Sequence, residues 1–346
     1  MRIKPTNFKE LVGIDHKGRV LYLQNRVMRK ILPLSEQKAL FPKNSICIVC
    51  NYRFYEKQID WNNTIVAVGH PFRDSSIDAS VGNVSIFPKR LIQIELNESD
   101  LVDRLTTIVD SKTTLDKFDF VCFSLFSARG AETKGLFLLP LIDEAAQKAG
   151  MKGLIVDYSN DYDKKLLADK VSRQAFKMVK GYIPSKHLNI VHRKMSTAEV
   201  CSVMHSSRFS LFPSTRDASP RLISESLVRN VPVLVNNKIY GGWQYITNIK
   251  EKTGMFFVGP SVEQVLSKEW QSEKDKYVDD LSRKMRMTAD IGHNNSISAA
   301  YYQRYGFRNF CHKLAGLINI NSKNKMKYVC YREFERILRN ISKTNK

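Results

Sequence analysis

From residue 118 onward the apolar positions fall into short unbroken runs separated by longer stretches of helical spacing. "FDFVCFSLF" is a run of strand length, "GLFLLPLIDEAAQKAG" carries the apolar period of a helix that ends at Gly150, and "GLIVDY" is a second run. The alternation continues with "KKLLADKVSRQAFKMV" as helix, "HLNIVHR" as strand, "TAEVCSVMHSS" as helix, "FSLFPS" as strand, "RLISESLVR" as helix and "VPVLVN" as strand. Strands that are apolar throughout, instead of at every second residue, are covered on both faces. Residues 118 to about 260 therefore predict a doubly wound parallel sheet with helices on each side.

The first 117 residues are less regular. "NSICIVC", "NTIVAVG" and "NVSIFP" read as strands with weak helices between them, which predicts a smaller α/β unit. Beyond residue 262 the chain is helical and charged. In "MKYVCYREFERILRN" Met326, Val329, Cys330, Phe334, Ile337 and Leu338 share one face and Arg332, Arg336 and Arg339 another, and the expected use is packing against the N-terminal unit. The expected division is 1–117, 118–300 and a basic helical segment over 301–346.

Composition changes this picture in two ways. The six cysteines, at 47, 50, 122, 201, 311 and 330, sit mostly in apolar runs, where cysteine acts as a small buried hydrophobe, so a reduced, intracellular setting is expected. Cys47 and Cys50 form a CxxC, but no second pair or nearby histidine completes a zinc site, and the flanks read as strand. The formal charge is +21, of which residues 1–30 carry +6 and residues 301–346 carry +9. Basic ends imply an anionic partner: a membrane surface, nucleic acid or an anionic acceptor. No signal-like or bilayer-length apolar run is present, so the expectation is a cytoplasmic protein, peripheral at a membrane surface if it meets one.

The candidate chemistry lies in "PSTRDASPRLISESLVRNVPVLVNNKIYGG". In a doubly wound domain, ligands sit beyond the carboxyl ends of the strands. Here the strand "SLFP" runs into Ser214, Thr215, Arg216 and Asp217, and Ser219 and Pro220 have the residue types of an N-cap and a first helical position. Free amides at such a helix start receive a phosphate. Asp217 in the loop and Glu225 in the helix are carboxylates suited to paired hydroxyl groups of a sugar and a ribose.

At these residues the chain resembles retaining glycosyltransferases of the GT-B fold, especially the large family-4 group. Their signature is an acid, seven residues and a glutamate, placed between a "PS" strand end and a "P-V" strand followed by a glycine-containing loop. The first acid here is Asp217 instead of the usual glutamate, and "ASP" replaces the glycine-rich turn after it. A second motif of that family, arginine, four residues, then lysine-glycine, is matched by Arg129, Lys134 and Gly135 in "SARGAETKG". The resemblance implies two Rossmann-type domains facing a cleft, the N-terminal one small, with a C-terminal helical crossover. It implies that Arg129 and Lys134 bind the diphosphate of a UDP- or GDP-sugar, that Glu225 holds the ribose and that Asp217 meets the donor sugar. The distal phosphate would meet amides near Ser219, Arg221 and Leu222, with Ser214 beside them, and the base would lie near Arg193, Lys194 and Met195. Gly241 and Gly242 would allow close backbone approach. The physical need is the developing dianion on the leaving diphosphate, which fixed cations stabilise in the transition state.

His70, after the strand in "VAVGHPFR", would face an interdomain cleft and is a candidate for sugar or acceptor contact, beside the alternative of a structural histidine. Asp161 and Asp163 form a DxD that holds a divalent metal in a different glycosyltransferase fold; here they read as a turn, and no metal is expected. The expected reaction is transfer to a glycan or lipid-linked acceptor. Two other readings stay open: glycosylation of nucleic acid, and a non-catalytic, degenerate domain that holds a nucleotide or tethers to a membrane.

Overall fold

The computed structural model describes residues 117–158, 170–215, 217, 220–239, 241–248 and 250–305, together with the backbone of five strands nearer the N-terminus. The chain divides into two compact units, Met1–Leu105 with Tyr302–Lys346, and Thr106–Tyr301.

In the first unit β1 (Leu11–Ile14) and β2 (Val20–Gln24) form an antiparallel pair on the edge of a sheet completed by β3 (Ile46–Cys50), β4 (Thr64–Gly69) and β5 (Leu91–Glu95), in the order β2-β1-β3-β4-β5. β3, β4 and β5 are parallel to one another, and β1 runs against β3. Cys47 and Cys50 thus lie in a central strand. The sequence reading found β3 and β4 but not the β1–β2 pair, whose runs "LVGI" and "VLYLQ" are short and flanked by charge. The expected strand over "NVSIFP" and the helix over "MKYVCYREFERILRN" lie outside the described residues.

The second unit is the doubly wound sheet. In chain order it comprises β6 (Phe120–Ser124), α1 (Ala128–Thr133), a short 3-10 turn at Leu136–Leu138, α2 (Leu139–Ala149), β7 (Gly153–Asp157), α3 (Lys170–Val179), β8 (Leu188–His192), α4 (Thr197–Ser206), β9 (Phe209–Phe212), α5 (Arg221–Leu227), β10 (Val233–Asn236) and β11 (Gly254–Phe257). Three helices close the unit: α6 (Val262–Val265), α7 (Trp270–Ile291) and α8 (Asn295–Tyr305). The spatial order is β11-β10-β9-β6-β7-β8 with every pair parallel. Read from β8 this is the 3-2-1-4-5-6 arrangement, whose strand order reverses between β6 and β9 and opens a crevice there. β6, β7, β9 and β10 are buried along their whole length, as their unbroken apolar runs require.

Packing explains the local choices. Phe120 and Phe209 start the two central strands and stack at 5.5 Å between centroids, and each is fully buried. Burial of a side chain of this size stabilises the fold by roughly 1.5–3 kcal/mol. α2 buries Leu139, Leu141, Ile142, Ala145 and Ala146, against which α7 lies. α4 begins with a capping box in which the Ser196 hydroxyl accepts from the Glu199 amide at 3.2 Å and the Glu199 carboxylate from the Ser196 amide at 2.7 Å. α5 starts one residue later than "SPRLIS" suggests: Pro220 occupies the cap itself, with φ −77° and ψ 82°, and makes no side-chain cap bond. Among the described residues no helix is long and apolar enough to cross a membrane.

Candidate functional site

The crevice at the β6/β9 reversal is built by three loops that the backbone ties together. After β6, Ser127 caps α1 by accepting from the Gly130 amide at 3.1 Å, and the helix ends at Thr133. Gly135 then turns the chain with φ +69°, pressed so close to the end of β9 that a Cβ there would stand 2.0 Å from the Pro213 carbonyl oxygen. Only glycine fits both the left-handed backbone and that approach. Two further bonds join the same loops: the Thr215 amide donates to the Thr133 carbonyl at 3.2 Å, and the Thr215 hydroxyl donates to the Glu132 carbonyl at 2.9 Å.

The result is a direct ion pair. Lys134 Nζ meets Asp217 Oδ2, across 83 residues of chain, with side chains 24% and 19% exposed. The third loop follows β10: the Gly241 amide donates to the Asp217 carbonyl at 2.9 Å, and Gly242, at φ +78°, leaves so little room that a Cβ would stand 2.5 Å from Pro220 Cγ. Asn236, buried at the end of β10, donates from Nδ2 to the Pro213 carbonyl at 3.1 Å and accepts from the Lys238 amide at 3.1 Å. An ammonium has three donors, so pairing with one carboxylate leaves Lys134 able to meet a second anion in the crevice.

The remaining sequence candidates fall as follows. Arg129 lies in the first turn of α1, on the same loop-and-helix unit as Lys134. Ser214 is buried at the end of β9. Glu225 is half-buried in the middle of α5, where its carbonyl accepts from Arg229 Nη1 at 2.7 Å, while Ser224 and Ser226 turn inward and the Ser226 hydroxyl donates to the Ser210 hydroxyl at 2.9 Å. Arg221 and Leu222 open that helix, and the Leu222 side chain packs, with Met195, against the cluster of Val121, Phe123, Leu154, Val156, Val203 and Met204. Those two side chains are therefore core contacts, which leaves their backbone as the part available to a ligand. Arg193 pairs with the capping-box Glu199 at 3.2 Å, and Lys194 is exposed. His70, Ser219, Asp161 and Asp163 lie outside the described residues.

Two groups at the carboxyl edge escaped the sequence reading. Asp157 and His192 end β7 and β8 in matching register, and His192 Nδ1 lies 2.9 Å from Asp157 Oδ2. Asp157 is buried and its other oxygen accepts the Phe126 amide at 3.1 Å, while the Phe126 ring stands edge-on to the imidazole at 4.9 Å. The carboxylate orients the ring through Nδ1 and leaves Nε2 for another partner. The available signal was a polar residue closing each of two otherwise apolar strands, "LIVD" and "NIVH". Glu132, inside the arginine-lysine motif, is buried and accepts from the Ser172 hydroxyl of α3 at 2.7 Å. That bond braces α1 and carries no signal in spacing.

Comparison with known proteins bears on the fold. No family model matches the chain, and none of the curated proteins does. Solved structures do match. A mutant of TarM from S. aureus, in complex with Fondaparinux, alpha-GlcNAc-glycerol and UDP, is similar at 11% identity and a TM-score of 0.50, covering 85% of this chain and 57% of its own. A glycosyltransferase from Rickettsia africae ESF-5 matches at 14% identity and a TM-score of 0.43, over 75% of this chain and 64% of its own. The pneumococcal O-GlcNAc transferase GtfA, in complex with UDP and GlcNAc, matches at 10% identity and a TM-score of 0.46, over 94% and 65%. The chain spans about six tenths of the length of these neighbours. With the six-stranded parallel sheet, the TarM match shows an α/β fold of the GT-B type.

Proposed function

We propose that this GT-B-type chain is a glycosyltransferase that moves a sugar from a UDP- or GDP-sugar to a glycan or lipid-linked acceptor, with retention of configuration and without a metal. The observation that carries the reading is the Lys134–Asp217 pair at the point where the strand order reverses, built from the loops after β6 and β9. In this reading Lys134 and Arg129 take the diphosphate, and the loop amides near Ser219, Arg221 and Leu222 take the distal phosphate. Glu225 takes the ribose, and Asp217 meets the sugar while holding Lys134 in place. The base lies near Arg193–Met195, and Gly241 and Gly242 let the backbone approach the donor. His70 is assigned to the acceptor side. Retention follows from front-face displacement, in which the acceptor oxygen bonds to the anomeric carbon as the bond to the phosphate oxygen breaks, and the departing phosphate takes the acceptor proton. The protein then supplies position and positive charge. The basic excess adds attraction to an anionic acceptor or membrane surface.

The test is calorimetric and thermal-shift titration with UDP, GDP and ADP, with and without EDTA. The expected result is binding of UDP or GDP that EDTA leaves unchanged and that Lys134→Ala weakens by tenfold or more with the fold intact. Binding that needs a divalent metal would move the site to Asp161 and Asp163. No binding of any nucleotide would favour the non-catalytic scaffold.

A further inference from the structure

The basic excess has a second location. The terminal segments 1–30 and 301–346 carry +6 and +9 of the chain's +21, which leaves +6 for residues 31–300, and residues 170–198 alone hold seven Lys/Arg and no Asp or Glu. The rest of the central chain is balanced. That stretch begins with α3, which buries Ser172, Ala175 and Val179 and exposes Lys170, Arg173 and Lys177, followed by exposed Lys180, at the three- and four-residue spacing of one helical stripe.

Elsewhere on this unit four surface cations of the α2 and α7 region are matched. Lys148 pairs with Asp279, Lys274 with Glu144, Lys276 with Glu273 and Arg283 with Asp280. Among the described residues, the α3 stripe pairs with no acid. Immediately after the helix, Ile183 is 86% exposed, more than any other large apolar side chain described, and the turn that presents it is anchored by the Tyr182 hydroxyl and the Ser185 amide, each donating to buried Asp143 at 2.7 Å. A row of cations with no acid partner among the described residues, ending at a held-out isoleucine, matches a surface with anionic headgroups above an apolar layer. Nucleic acid would use the charge but has no need of the isoleucine.

We infer that the outer face of α3, from Lys170 to Ile183, docks this unit onto an anionic lipid surface. The cations meet headgroup phosphates and Ile183 enters the acyl boundary. This does not rest on the reading of the nucleotide crevice, and vesicle binding is measured apart from nucleotide binding.

The experiment is sedimentation of the full chain with phosphatidylglycerol/phosphatidylcholine vesicles and with phosphatidylcholine alone. It compares Arg173→Gln/Lys177→Gln/Lys180→Gln with a control of equal charge, Lys268→Gln/Lys276→Gln/Arg283→Gln, which separates the stripe from the basic termini. The stripe variant should bind anionic vesicles about tenfold or more less well than the control, each cation near such a surface contributing severalfold. Ile183→Ser should weaken binding at unchanged charge, and Ile183→Trp should add blue-shifted emission on anionic vesicles only. Equal loss in both triple variants, or Ile183→Trp emission that does not move, would overturn the inference. So would a stripe variant that keeps its vesicle affinity and loses affinity for duplex DNA.

Discussion

Gly135 and Asp217 show how single residues set the crevice. Gly135 combines a left-handed backbone with contact against the Pro213 carbonyl, so Gly135→Ala meets conformational strain and a clash together. A loss of about 2 kcal/mol or more is expected in denaturant melts, with nucleotide binding weakened because Lys134 is the preceding residue. Asp217→Asn separates the roles of the ion pair. It releases Lys134 from its counter-ion without removing volume, so free UDP or GDP should bind as tightly as before or more tightly, while sugar transfer falls by at least about a hundredfold. Equal loss of both would mean that Asp217 serves only to position the lysine.

The elements add constraints that are visible as pH dependence. Cys122 lies inside β6, and burial pushes its thiol up to about 12. The unfolded thiol ionises near its ordinary value of about 8.5, so the native preference for the neutral form leaves stability unchanged below that pH and lowers it as pH rises from about 9 toward 12. Urea melts from pH 7 to 11 should therefore fall less steeply for Cys122→Ala than for the parent chain. His293, between α7 and α8, has the opposite sign. Burial lowers its pKa, and the neighbouring His205 ring at 5.5 Å acts the same way, although the Ser207 carbonyl that accepts from Nε2 at 2.6 Å favours the proton. The folded ring therefore takes up a proton less readily than the unfolded one, and its contribution is present above the unfolded pKa and lost as pH falls below about 6.5. His293→Gln should cost less stability at pH 5 than at pH 7; a cost that is the same at both pH values would refute this account.

At the scale of the molecule, the unit Thr106–Tyr301 holds its own sheet, its own core around Phe120, Phe137, Phe209 and Phe257, and the whole Lys134–Asp217 crevice. A fragment of residues 106–301 should therefore express as a folded domain with one cooperative thermal transition. A fragment without near-ultraviolet dichroism would show that residues outside it complete the core.

Much of this was legible beforehand, and the limits have causes. Strand and helix identity from β6 to β10 followed from apolar period, because a parallel strand covered on both faces has no polar alternation. The β1–β2 pair was missed because charged residues close on both sides of "LVGI" and "VLYLQ" break up the apolar pattern, and the start of α5 slipped by one because Pro220 suits the cap as well as the first helical position. Periodicity and composition are local, or simple totals, so the residues alone determined the element types, the basic excess and the motif-bearing loops around Lys134 and Asp217. Tertiary structure decided which distant residues meet. The strand order placed the loops after β6 and β9 side by side and so joined Lys134 to Asp217, parallel register set Asp157 against His192, and packing of Ala175 and Val179 turned the cations of α3 outward. Each of these rests on contacts between residues far apart in the chain, and no local pattern encodes such contacts.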